Sequence, residues 1–201
     1  QAVKYAPEEK AKQGVSKTME KLAESVKAID KTKRYTWGTR ELDTSFAIIK
    51  QNNFIVLGSK RGSGKTAFAY DMAMKNARDM NHKVLFISLE MEESEILEDI
   101  GRKYAGITIE EELDFIVPNY KQKAYNEKIS EIKNIKNLVF EGIRRAEGVT
   151  WSMIEEIIKK HSPDMIFLDN LDLIAAEGKE NDLERQKHIS ASIMNFTSKN
   201  R

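Results

Sequence analysis

The chain has 201 residues, of which 33 are basic and 32 acidic, for a net charge of +1, and it contains no cysteine. That balance excludes bulk basicity as a way of holding a polyanion, so any such contact must come from a local patch or from several subunits around one strand. Lack of cysteine excludes disulfides and thiolate metal sites, which fits a cytoplasmic setting. The length suits one well-packed domain, and 40% hydrophobic residues is a globular composition. No apolar run approaches the ~20 residues of a bilayer span, and Gln1 opens a charged segment without a signal-peptide pattern. His82, His161 and His188 stand in unrelated contexts and read as surface or edge histidines. The start at Gln rather than Met, and the end straight after a predicted helix, suggest a piece of something longer.

In chain order, residues 7–31 carry a helical pattern in which Val15, Met19, Leu22, Val26 and Ile29 form a narrow heptad seam among Lys and Glu. A helix facing its own core needs a wider apolar face, so this seam favours docking on a partner over packing on its own domain. The charged stretch Asp30–Arg34 then reads as a linker. Residues 1–34 are accordingly expected to be a docking helix, and 35–201 the core. Phe54–Leu57 is a continuous apolar run, as in a parallel strand buried on both faces. Thr66–Met80 reads as a buried helix and Val84–Ser88 as a second strand. A helix begins near Ser94 with Ile96, Leu97, Ile100 and Tyr104 on one side, and another covers 121–136. Leu138–Glu141 is a third strand. Ser152–Glu155 reads as a capping box opening a helix that Ser162-Pro163 ends. Met165–Asp169 is a fourth strand, and a polar loop over 176–182 leads to a last helix with Leu183, Ile189, Ile193 and Phe196. Strands separated by helices imply an α/β fold, a mainly parallel sheet flanked by helices on both faces.

The chemistry concentrates at three strand ends. Ser59-Lys60-Arg61-Gly62-Ser63-Gly64-Lys65-Thr66 stands between an apolar run and a helix and matches the phosphate-binding P-loop, except for Ser59 at the usual first glycine. Glycines let such a loop wrap a phosphate, with backbone N–H groups and the helix N-terminus aimed at the anion. Lys65 would reach the β- and γ-phosphates of ATP, and Thr66 would ligate Mg²⁺. Arg61 is a less common guest, with phosphate contact and solvation equally open to it. Four apolar residues ending in Asp169 have the Walker-B pattern, whose carboxylate holds the water shell of Mg²⁺. The second strand also ends in an acid, Glu90. It is either a general base for the attacking water or a cap for the next helix, and spacing alone leaves both open.

Phe86-Ile87-Ser88-Leu89-Glu90-Met91 resembles the segment that marks DnaB-type hexameric replicative helicases, where a strand ends Ser-Leu-Glu-Met. Thr36-Trp37-Gly38-Thr39-Arg40-Glu41-Leu42-Asp43 is similar to that family's entry to its ATPase domain, and Phe167-Leu168-Asp169-Asn170-Leu171-Asp172-Leu173-Ile174 to its Walker-B strand. The resemblance spans nearly the whole chain. It implies a RecA-like core preceded by a linker helix that docks on the neighbouring subunit and closes a ring. It also implies Glu90 as catalytic base beside Lys65, and an ATP-driven motor that moves along single-stranded DNA, with a primase and a helicase loader as expected partners and no membrane. Lys179, Arg144 and Arg145 are candidate DNA contacts. Ser59, the missing Gly-Gly pair after Leu42, and Asn170 and Asp172 in place of the usual Tyr and Gln mark a divergent member of phage or plasmid type. Two other readings compete: a non-unwinding RecA- or KaiC-like ATPase, and a nucleotide-gated scaffold for helicase loading. The linker helix and Ser-Leu-Glu-Met weigh against the first, Glu90 and Lys65 against the second.

Overall fold

A computed structural model describes residues 34–60, 62–144, 148–175 and 181–199. The expected helix over 7–31, together with Arg61, Arg145 and Lys179, lies outside the described residues. Nearly all the described residues belong to one compact unit, Tyr35–Arg201.

In chain order the elements are α1 (Arg40–Ser45), α2 (Lys65–Arg78), β1 (Val84–Ser88), α3 (Glu93–Ala105), α4 (Ile109–Leu113), α5 (Asn119–Lys133), β2 (Leu138–Gly142), β3 (Val149–Thr150), α6 (Trp151–His161), β4 (Met165–Asp169), a 3₁₀ turn (Leu171–Leu173), β5 (Ile174–Ala175) and α7 (Asp182–Lys199). The main sheet is parallel, in the order β2-β1-β4. Its central strand, Val-Leu-Phe-Ile-Ser, is buried at every position, as a strand covered on both faces must be. Alternate residues divide between the faces. Val84 and Phe86 join Tyr70, Ala73, Met74 and Ala77 of α2, Ile96 and Ile100 of α3 and Ile132 of α5. Leu85 and Ile87 join Ile154 and Ile158 of α6 and Ile189 and Ile193 of α7. This is the expected architecture.

The register brings the chemistry together. Ser88 lies level with Gly142 on one side and Asp169 on the other, so all three strands end at one height. Leu89 N–H donates to the Asp169 carbonyl at 2.7 Å, and Ile143 N–H to the Ser88 carbonyl at 2.8 Å. The entry segment is tied to α2: buried Asn76 accepts from Thr36 N at 3.0 Å and donates to Thr36 O at 2.9 Å. Asp43 closes the turn by accepting from Thr36 Oγ1 and Trp37 N, both at 2.6 Å.

Three expectations need correction. Phe54–Leu57 forms no strand pairing. Phe54 packs against the core on the α6–α7 side, but Ile55, Val56 and Leu57 are 44%, 64% and 51% exposed. An apolar run reveals a tendency to be buried, not the partner that buries it, and no described strand lies on the free edge of β4. Helix α6 starts one residue before the expected box, with Thr150 as N-cap, while Glu155 accepts from Trp151 Nε1. His82 is buried and stacked on Tyr35, ring centroids 4.4 Å apart. A histidine amid polar neighbours gives no sign of that in sequence. His161 is half-buried, its Nε2 2.6 Å from Glu141 Oε1.

Candidate functional site

The loop before α2 turns on Gly62 and Gly64, at φ 77° and 89°, a region that side chains with a Cβ enter only with strain. An added Cβ on either would meet nothing within 4 Å. The glycines therefore serve backbone conformation and access rather than packing. Gly64 is the N-cap of α2 and supplies no side-chain cap, so the first N–H groups of the helix face outward, as an anion cradle requires. Ser63 Oγ donates to the Lys60 carbonyl at 2.7 Å and lies 2.5 Å from Ser59 Oγ. The serine at the usual glycine position thus helps close the loop. Lys65 and Thr66 follow as the first two residues of α2.

Thr66 and Asp169, 103 residues apart, meet directly: Thr66 Oγ1 donates to Asp169 Oδ2 at 2.8 Å. A hydroxyl and a carboxylate converging where a strand end meets a helix start are hard oxygen donors of the kind Mg²⁺ takes. Among the described residues no group of three or more His, Cys, Asp or Glu side chains could hold a metal by itself, so a cation here would draw further ligands from phosphate and water.

Glu90 is exposed two residues beyond β1. The cap of α3 is Glu92, in a box with Glu95, whose Oε2 accepts from Glu92 N at 2.8 Å. Glu90 therefore lies outside the helix and does not cap it. Its turn is held by Ser88 Oγ, which accepts from Glu90 N at 3.3 Å and Met91 N at 3.0 Å. Arg144, just past β2, donates from Nε to the Glu90 carbonyl at 3.2 Å and pairs with Glu95 at 3.3 Å. Asn170 Nδ2 donates to Glu90 Oε1 at 2.6 Å. Beneath the turn lies Gly142, where a Cβ would come within 2.4 Å of Glu92 Cα and 2.6 Å of the Met91 carbonyl.

Negative charge gathers here. Burial, and then the carboxylates of Asp99, Asp169 and Glu90, push the Tyr70 phenol well above its ordinary value. The Tyr70 hydroxyl is buried, with no hydrogen-bond partner among the described residues. Lys65, Thr66, Glu90 and Asp169 were legible in the sequence as candidates. Gly142 and the Asn170 contact were not, because each acts through a neighbour distant in sequence.

The sheet, its flanking helices and this strand-end site define a RecA-like α/β core of the kind found in helicase ATPase domains. An ATPase domain of known structure matches it with a TM-score of 0.69 at 20% identity, over 92% of this chain and 67% of that one. A DnaB-like replicative helicase, from a structure describing its interactions with primase, matches with a TM-score of 0.65 at 23% identity, over 93% and 49%. The model of the DnaB-like helicase C terminal domain matches residues 35–198, and the chain belongs to that family. A Chlamydia trachomatis protein named "Probable plasmid replicative DNA helicase" is 26% identical over 161 residues, 80% of this chain and 36% of that relative. A Chlamydia psittaci protein of the same name is 38% identical over 63 residues, 31% and 14%. The chain thus spans about a third of the length of the first of these relatives.

Proposed function

We propose that this chain is the nucleotide-hydrolysing core of a replicative DNA helicase, using ATP to drive movement along single-stranded DNA. The contact between Thr66 and Asp169 carries the reading, since it joins the two halves of a triphosphate site across the sheet. Lys65 and the backbone of residues 59–64 grip the β- and γ-phosphates. Bound Mg²⁺ would neutralise charge developing on the phosphate oxygens. Glu90 accepts a proton from the attacking water. Arg144 and, from sequence, Arg145 and Lys179 are the candidate DNA contacts, although Arg144 already holds the Glu90 turn.

Ring assembly belongs to the same proposal, with residues 1–34 docking on a neighbouring subunit. Support comes from an apolar surface at α4, the turn after it and the start of α5, where Ile109, Leu113, Ile116 and Tyr120 are exposed and Phe115 is 94% exposed. Phe115 sits at φ 54°, where glycine is the easier residue. An exposed aromatic there costs folding free energy and gains none within this unit, so a partner supplies its burial. The seam from Val15 to Ile29 has matching apolar character. A primase and a loader, and a cytoplasmic setting, complete the proposal by family. No described helix is long and apolar enough to cross a membrane.

Glu90→Gln in the intact protein tests the site. Turnover is expected to fall roughly 10²–10⁴-fold, the worth of a positioned base, with ATP affinity unchanged or tighter. Normal turnover would remove Glu90 from the mechanism.

A further inference from the structure

Asn170 makes two hydrogen bonds that serve different purposes. Its Oδ1 accepts from Asp172 N at 3.1 Å and caps the 3₁₀ turn Leu171–Leu173. Its Nδ2 donates to Glu90 Oε1 at 2.6 Å across 80 residues of sequence. The turn is anchored in its own right, since Asp172 Oδ1 accepts from Gln186 Nε2 of α7 at 2.9 Å. The Asn170 amide is therefore fixed from one side and presents a donor on the other. Glu90 is exposed and bonded through its side chain to no other described residue. A free carboxylate on an exposed turn samples many rotamers, and ordering it costs side-chain entropy.

We propose that Asn170 is a positioning residue for Glu90: its amide holds one carboxylate oxygen so that the other is free to take the proton from water. The proposal rests on the reading of Glu90 as general base. Asn170 follows directly on Asp169, whose carboxylate meets Thr66, so a single strand end sets both the cation-facing acid and the base. The geometry of the two is thereby linked. Through their hydrogen bonds Asn170 and Asp172 form one unit with Glu90 and Gln186.

The test exploits the two bonds. Asn170→Asp keeps an oxygen to accept from Asp172 N but replaces the donor with a carboxylate facing Glu90. Asn170→Ala removes both bonds. If Asn170 only caps the turn, Asn170→Asp resembles wild type and Asn170→Ala loses stability. If it positions Glu90, Asn170→Asp loses turnover by about 10- to 100-fold, the worth of one hydrogen bond to a charged group. Affinity for a non-hydrolysable ATP analogue and melting temperature then stay near wild type. Both would be measured on the intact protein, alone and in the Glu90→Gln background. There the Asn170→Asp change is expected to add no further loss, because the group it positions no longer acts as a base. Normal turnover of Asn170→Asp while Glu90→Gln is inactive overturns the positioning role and leaves the base intact. An equal, additive loss in both backgrounds also overturns it. Normal turnover of Glu90→Gln overturns both readings.

Discussion

Gly142 illustrates how one missing atom can set a site. It ends β2 directly under the turn that carries Glu90, and a methyl group there would lie 2.4 Å from Glu92 Cα and 2.6 Å from Met91 O. Both are backbone atoms, which cannot swing aside like a side chain. Gly142→Ala must therefore lift the turn, at a cost of about 1–3 kcal/mol for overpacking. Because the turn holds Glu90, the proposed general base, turnover per folded molecule should drop by roughly 10²-fold, the usual penalty for displacing such a group by ~1 Å. Gly101→Ala is the control. Its Cβ meets the Tyr125 ring at 2.6 Å, in the α3–α5 packing and not at the strand ends. It should lower the melting temperature and leave turnover per folded molecule unchanged. Equal turnover in the two variants would remove Gly142 from the site.

At the scale of elements, the sequence was most readable where a single physical demand governed a segment. Val84–Ser88 and Met165–Asp169 were expected at the bounds observed. The first is apolar up to its last residue because it is buried on both faces, and the second is a half-buried strand at the edge of the described sheet whose apolar run also stops at a polar residue. Helices α2, α3 and α5 were found within a few residues. Phe54–Leu57 was not, since pairing depends on an edge elsewhere in the chain. That Thr66 and Asp169 lie near each other was legible because both motifs aim at one Mg²⁺ site; their direct hydrogen bond was not. The links of Glu90 to Asn170 and of Glu141 to His161 were not, since a polar side chain's partner across a sheet leaves no local pattern. Glu141 offers a test of its own. Burial alone would raise its carboxyl, but the bonds from His161 at the end of α6 and from Lys160 outweigh that and hold it below its ordinary value; Glu93 and Lys133 line the same groove. A carboxylate with a depressed folded-state pKa contributes stability above its unfolded-state pKa and loses it as pH falls through the folded one. Glu141→Gln should thus melt below wild type at neutral pH, and the gap should close in the acid limb below the ordinary carboxylate range. A gap that stays constant with pH would mean that the ion pairs contribute nothing.

At the scale of the whole molecule, two apolar features remain without partners among the described residues. One is the strip Ile55–Leu57. The other is the surface around α4, with Phe115 at its tip. A compact unit of this size buries such groups when it can, and clustered exposed aromatics and aliphatics mark contact surfaces. Under the ring-assembly proposal, the occupant of the surface at α4 is residues 1–34 of a neighbouring subunit. The seam Val15, Met19, Leu22, Val26 and Ile29 is too narrow for a core helix and too short for a free coiled coil, so it suits a groove on another subunit. The arrangement predicts that two distant changes act alike. Deleting residues 1–34 removes the seam, and Phe115→Asp puts a charge where burial is costly. Each should lower the oligomeric mass measured by light scattering at fixed protein concentration. Combining them should lower it no further, because both break one contact. Phe115→Asp is expected to leave the monomer's melting temperature almost unchanged, since the side chain is 94% exposed within its own unit. A mass that falls with the deletion but not with Phe115→Asp would move the docking site elsewhere on the core. A mass indifferent to both would return residues 1–34 to their own subunit.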